Sequence, residues 1–194
     1  MTLHHSLIVG LWIAFVAYWG IAAIDTKRSL GTRTWWRDGG PRSGIALVTV
    51  LILLALRIPA VSRAARVVSP FAAGDGVLAD AVGVALCALG MGFAVWARIH
   101  LGRNWGLPMA RKANPELVTT GPYALVRHPI YTGWLLAMLG SAVAETAVWL
   151  LPLILCGGYF LHSARREERF MAERFPQDYP AYRRRTKMLV PFLL

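Results

Sequence analysis

"IYTGWLLAMLGSAVAETAVWLLPLILCGGYFLHSA", residues 130–164, is the stretch on which the fold turns. A helix that crosses a bilayer takes about 20 apolar residues, so this run is too long for one crossing. Its only charged side chain is Glu145, near the middle. A break there predicts two helices, 130–144 and 146–164, joined as a tight hairpin. The first arm is short, roughly 22 Å at ~1.5 Å per residue.

The rest of the chain has the same character. Of its 194 residues 56% are hydrophobic and 16% charged, with a mean hydropathy of +0.48, where a soluble domain has about 25% charged residues. Three further apolar runs precede the hairpin, at 3–24, 44–62 and 77–97. The second is interrupted near its end by Arg57 and Pro59, and Arg57 can snorkel to the interface. Asp80 in the first turn of the third suits the positive end of a helix dipole. The expected fold is therefore an all-α integral membrane protein with about five transmembrane helices. Residues 1–97 supply three of them with their loops, and 98–194 form a functional core.

The net charge of +11 is not spread over a soluble face but gathered between the apolar runs. That distribution points to anionic lipid headgroups and not to nucleic acid. With the N-terminus outside, 18 of the 21 Lys and Arg fall in cytoplasmic segments. This asymmetry predicts a bacterial inner-membrane protein with a cytoplasmic C-terminus. Cys87 and Cys156 both lie within apolar runs and read as small core residues, not a disulfide framework. No cysteine lies near the terminal "PFLL", so no prenylation signal is present. With no Lys or Arg ahead of the first apolar run, the N-terminus reads as an anchor helix, not a cleaved signal peptide.

Two polar stretches flank the hairpin, at 98–133 and 164–191, and its cytoplasmic ends bring them together. His128 and Glu167 thus become neighbours. The tail reads as a helix over about 164–175, which puts Glu167 on one face with Phe170 and Met171, and Glu168 with Met171 and Phe175. A carboxylate pair on the apolar side of a helix suits a ligand, or it caps the membrane interface. Arg169 and Glu173 form an ordinary solvated pair. Gly121-Pro122 signals a turn before Tyr123. His128 precedes Pro129, which biases it towards an extended backbone at the mouth of the hairpin. The alternative is a plain helix start with Pro129 at its first position.

Other signatures fail. "GDGVLA" at 74–79 fits a dinucleotide glycine pattern but has no strand–helix unit around it. His4 and His5 have no partners at metal-ligand spacing, so no metal site is read. Neither a phosphate loop nor a Gly-x-Ser-x-Gly elbow occurs.

The motifs "LGRNW", "ELVTTGPYALVRHPIYTG" and, after the hairpin, "REE" followed by "RFPQDYPAYRRRTKMLVP" resemble the isoprenylcysteine carboxyl methyltransferase family. Its wider relatives methylate phospholipid amines and small thiols. The likeness covers about residues 98–191 and is silent on the earlier helices. It implies a membrane methyltransferase that uses S-adenosyl-L-methionine without a Rossmann domain. The cofactor pocket it implies is cytoplasmic, built from residues 98–130 and the C-terminal tail. Carried over, Leu117, Val118, Tyr123, His128, Pro129, Tyr131, Glu167 and Glu168 belong to the cofactor site, with Leu117 and Val118 beside the adenine. Arg127 shares the motif, and Arg127 and Glu167 are the candidate catalytic residues. A Glu suits the cofactor's ammonium, and His128 with backbone N–H groups suits its carboxylate. The implied acceptor is apolar or amphipathic and enters from the bilayer, with a lipid amine or small thiol as the alternative. A nicotinamide-dependent enzyme like the sterol reductases is a competing reading, for which "YRRRTK" at 182–187 could hold an extra phosphate. A membrane adaptor with a degenerate site is another.

Overall fold

The computed structural model describes residues 2–22, 76–102 and 116–190. Five α-helices run through these residues: α1 (Leu3–Ala22), α2 (Val77–Leu101), α3 (Pro129–Ala144), α4 (Leu150–Arg174) and α5 (Tyr179–Arg185). Short 3-10 turns lie at Gly121–Ala124 and Ala147–Trp149. The only β pairing among the described residues is a parallel bridge between Val126 and Lys187. Both α1 and α2 are long and apolar enough to cross a membrane, and α3 is apolar but shorter. The span expected at 44–62 and the "RNW" of the first motif lie outside the described residues.

The hairpin breaks at Glu145 as its charge predicts, but its second arm differs from expectation in two ways. It begins at Leu150 instead of 146, because the Trp149 N–H closes a tight turn onto the Thr146 carbonyl at 3.1 Å. It also does not end near 164. A single helix of 25 residues replaces the expected membrane arm and separate tail helix. Pro152 falls in the first turn, where a missing N–H costs no helical bond, and Pro176 lies just beyond the end. Nothing between them interrupts the backbone ladder. The consequence for the site is that Glu167 and Glu168 ride on a rigid continuation of the hairpin arm.

The closest helix packing is the antiparallel pair α2–α3. Gly83, Cys87, Gly90 and Ala94 face Ala144, Gly140, Ala137 and Gly133. A Cβ on Gly90 would stand 2.5 Å from the Ala137 nitrogen and 2.6 Å from the Gly133 oxygen. Small residues recurring every three or four positions are what let two helix backbones touch. α1 packs on this pair through Ile8 and Phe15. Its Trp12 donates to Ser141 Oγ at 3.0 Å and stacks on Trp149 at 5.4 Å. The resulting apolar cluster joins residues on both sides of position 97.

Each end of the bundle is tied by polar groups that sequence reading did not pair. At one end His4 meets Asp80 at 2.7 Å and His5 meets Glu145 at 2.8 Å. At the other, the buried Arg98 donates to the Ala22 carbonyl at 2.6 Å and to Gly102 at 2.9 Å. A cation there answers the negative dipole ends of α1 and α2 together. It also explains why α2 runs a turn past position 97.

Candidate functional site

The Arg98 end of the bundle is also where α3 begins and where α4 carries its carboxylates. Pro129 occupies the first turn of α3, fully buried, with its fixed φ already helical. His128 stands at the cap position with φ −125° and ψ 61°, so it is not extended as Pro129 predicts. Its side chain makes no cap hydrogen bond. Instead the imidazole stacks on Tyr131 (5.5 Å, 6° between planes), and Tyr131 stacks on Phe160 of α4 (4.6 Å, 5°). These three rings form one pile between the start of α3 and α4.

The carboxylate pair closes the other side. The inward stripe of α4 runs through Pro152, Cys156, Phe160, Ser163, Ala164 and Glu168, so the hairpin's own helical period delivers the acids to the site. Glu167 accepts from the Tyr131 hydroxyl at 2.6 Å and lies 3.5 Å from His128 Nδ1. Glu168 accepts from Arg127 Nε at 2.6 Å, with His128 Nε2 at 3.6 Å and Arg183 at 3.7 Å. The two acids differ in access. The Glu168 side chain is 6% exposed and Glu167 27%.

Arg127 does more than neutralise Glu168. Its Nη1 donates to the carbonyls of Arg183 and Thr186 on the tail. The tail in turn runs beside residues 126–128 as a strap. Lys187 accepts from the Arg127 N–H at 2.8 Å, Met188 from the His128 N–H at 3.0 Å, and Leu189 from the Thr132 hydroxyl at 2.6 Å. Leu189 is buried against Tyr131 and Ala164. No local pattern in "TKMLV" announces this strap, because its partners are some 60 positions away.

These neighbours set the charges. Burial works to lower the His128 pKa, but the carboxylates of Glu167 and Glu168, 3.5 and 3.6 Å from its ring nitrogens, outweigh it and raise the imidazole above its ordinary value. Burial works to raise the Glu168 pKa. His128 and Arg127 outweigh it and hold the carboxyl below its usual range. Tyr123 is buried in the Gly121–Ala124 turn, and burial, Tyr182 and Glu167 together push its phenol well up.

The turn itself is built on a glycine. Gly121 has φ +57°, and a Cβ there would lie 2.7 Å from the His100 ring. His100 lies over Tyr123 at 6.4 Å and bonds Thr120 at 2.9 Å, while the Tyr123 carbonyl accepts from Tyr182 at 2.7 Å. Tyr123 is thus fixed between α2 and α5. Leu117 and Val118 are half-buried in the irregular stretch before Thr120.

Arg127, His128, Tyr131, Glu167 and Glu168 therefore form one connected cluster. Arg183, Thr186 and the strap carbonyls belong to it as well, although sequence reading did not single them out.

The Phospholipid methyltransferase family profile matches residues 78–178. The chain is 36% identical over 125 residues to the cobalt-zinc-cadmium resistance protein CzcN of Cupriavidus metallidurans, across 61% of this chain and 54% of that protein. It is 31% identical over 188 residues to a methanethiol S-methyltransferase of a Pseudomonas species, across 89% and 67%. Likeness to the protein-S-isoprenylcysteine O-methyltransferase of Schizosaccharomyces pombe is 30% over 101 residues, across 50% and 43%. The chain spans about half the length of the metal-resistance relatives it matches.

Proposed function

The chain belongs to the phospholipid methyltransferase family, and from that we propose that it is a membrane methyltransferase using S-adenosyl-L-methionine. Its acceptor is apolar or amphipathic, of the kind an isoprenylcysteine carboxylate or a lipid presents, and reaches the site from the bilayer. The observation that carries this reading is the mouth of the α3–α4 hairpin, where His128 lies between Glu167 and Glu168. The outward faces of α1 and α2 support a bilayer setting: Leu3, Ile13, Ile21, Leu78 and Leu89 are all exposed. The basic segments support a cytoplasmic site.

The donor set fits the cofactor. A zwitterionic amino-acid end needs an anion for its ammonium and cationic or N–H donors for its carboxylate. Glu167 is the more accessible acid and takes the ammonium. His128 Nε2 is buried and makes no hydrogen bond of its own, with its nearest carboxylate oxygen at 3.6 Å. It faces the carboxylate. Leu117, Val118 and Tyr123 would lie beside the adenine. When bound, S-adenosyl-L-methionine supplies an electrophilic methyl group on a sulfonium cation.

The protein's own contribution is orientation and exclusion of water. The stacked Tyr131 and Phe160 rings give a flat apolar wall, and a neutral or anionic nucleophile needs little acid–base help beside it. Glu168 is already engaged by Arg127. These two act as positioning residues that hold His128 and the strap, not as groups that touch the methyl acceptor.

Titration with S-adenosylhomocysteine, with NADPH as comparator, tests the reading. Glu167→Gln and His128→Ala are each expected to weaken binding by about 1.5–3 kcal/mol, the scale of a hydrogen bond to a charged group. Binding of NADPH alone, or unchanged affinity in both folded variants, would overturn it.

A further inference from the structure

The outward face of α4 changes chemistry along its length. Leu151, Ile154, Leu155 and Gly158 are exposed, and the same stripe continues through His162, Arg165 and Arg169. Positions three and four apart lie on one face of a helix, so this is a single surface that passes from hydrocarbon-like to cationic. Arg165 and Arg169 lie 15 and 19 residues beyond Leu150, where α4 begins, roughly 22 and 28 Å at ~1.5 Å per residue, so the basic end of the stripe comes at about the far edge of a hydrocarbon core of ~30 Å. Arg165 and Arg169 therefore stand at headgroup depth.

The tail reaches the same depth. Leu189 packs against Ala164 and Tyr131, and Val190 is exposed beyond it. Immediately before this apolar end, Arg183, Arg184, Arg185 and Lys187 are all exposed. Residues 165–187 carry eight Lys and Arg against Glu167, Glu168, Glu173 and Asp178, and Glu168 is turned inward onto Arg127.

We propose that Arg165 and Arg169 of α4 and Arg184 and Arg185 of α5 form a docking surface for anionic lipid headgroups, and that this contact steadies the strap at 186–189. Charge complementarity and continuity with the apolar face of α4 select a membrane over a soluble anion. The link to the site is covalent and short. Arg185 precedes Thr186, whose carbonyl holds Arg127, and Lys187 and Met188 accept the N–H groups of Arg127 and His128. Anionic lipid thus favours the closed strap and, through His128, the cofactor-binding geometry. This last consequence rests on the function proposed above.

The test uses the full chain in nanodiscs of phosphatidylcholine, with and without phosphatidylglycerol. Two readouts are followed: amide exchange at Arg127 and His128, and affinity for S-adenosylhomocysteine. Phosphatidylglycerol is expected to raise protection and affinity about fivefold, at the low end of ordinary coupling between sites. Both gains vanish in high salt and in the Arg184→Gln/Arg185→Gln variant. A second variant, Arg165→Gln/Arg169→Gln, reduces them from the other helix. Both variants behave as the parent in phosphatidylcholine alone. Equal protection in the two lipids overturns the proposal, as does the same gain from soluble glycerol phosphate. Protection that responds to lipid without any S-adenosylhomocysteine binding leaves the docking surface standing and removes the cofactor reading instead.

Discussion

Arg127→Met probes the centre of the cluster. The side chains of Arg127 and Glu168 are 8% and 6% exposed, so their 2.6 Å contact is a buried pair. Removing one member of such a pair costs about 3–5 kcal/mol, because the other charge is left without its counter-ion. The Nη1 bonds to the Arg183 and Thr186 carbonyls are lost at the same time. The damage should concentrate in the strap, whose hydrogen bonds to Arg127 and His128 open locally before the bundle does. Amide exchange at His128 reads that opening directly, since its N–H donates to Met188 at 3.0 Å. A loss of 3–5 kcal/mol corresponds to a drop in protection of about two to four orders of magnitude, or to unprotected exchange if the strap starts less stable than that. Arg127→Met/Glu168→Leu is the informative partner. It replaces the ion pair with apolar groups of similar volume, which is often near neutral, so much of the protection should return. If the single variant exchanges at the parental rate, or the double variant is the worse by the sum of both singles, the pair does not hold the strap.

Three further outcomes follow from the same geometry. Gly90→Ala is expected to destabilise the bundle by about 1–3 kcal/mol through overpacking against Ala137 and Gly133. Gly92→Ala on the same helix meets nothing within 4 Å and should be neutral or slightly stabilising. Tryptophan-fluorescence melting separates the two, and equal midpoints would refute the close α2–α3 contact. Stability should also depend on pH from both sides. The raised His128 contributes fully below its ordinary 6.5 and is lost as pH rises through its higher folded value. The lowered Glu168 contributes fully above its ordinary 4.5 and is lost as pH falls through its lower folded value. Melting temperature should therefore peak between about 4.5 and 6.5, and the alkaline decline should be absent in His128→Gln. Finally, Gly121→Ala should weaken S-adenosylhomocysteine binding, since its φ of +57° and the His100 ring both exclude a Cβ. Unchanged affinity would show that the Tyr123 turn is not part of the cofactor site.

What was legible in the linear chain is what depends on local chemistry. An apolar run with one carboxylate in its middle has to bend there, and the turn at residues 145–149 does so. Gly121-Pro122 had to turn, and of the two readings open at His128 the structure has the helix start at Pro129. Helical period placed the two acids on the apolar side of a tail helix, which the structure makes the continuation of α4, with Glu168 on its inward stripe. The motif around His128 was enough to suggest a family, because its residue types and order are unusual together.

What only the tertiary structure decided is which partner each charge takes. Glu167 and Glu168 are adjacent and identical in composition, yet one meets Tyr131 and His128 while the other is engaged by Arg127. A rotation of about 100° per residue separates them on the helix, and only the packing of α4 on α3 tells which faces the strap. The clasp of Arg98 and the two imidazole–carboxylate pairs were hidden for the same reason. Their partners lie on other helices, and which groups meet is a property of the assembled bundle and not of the residues.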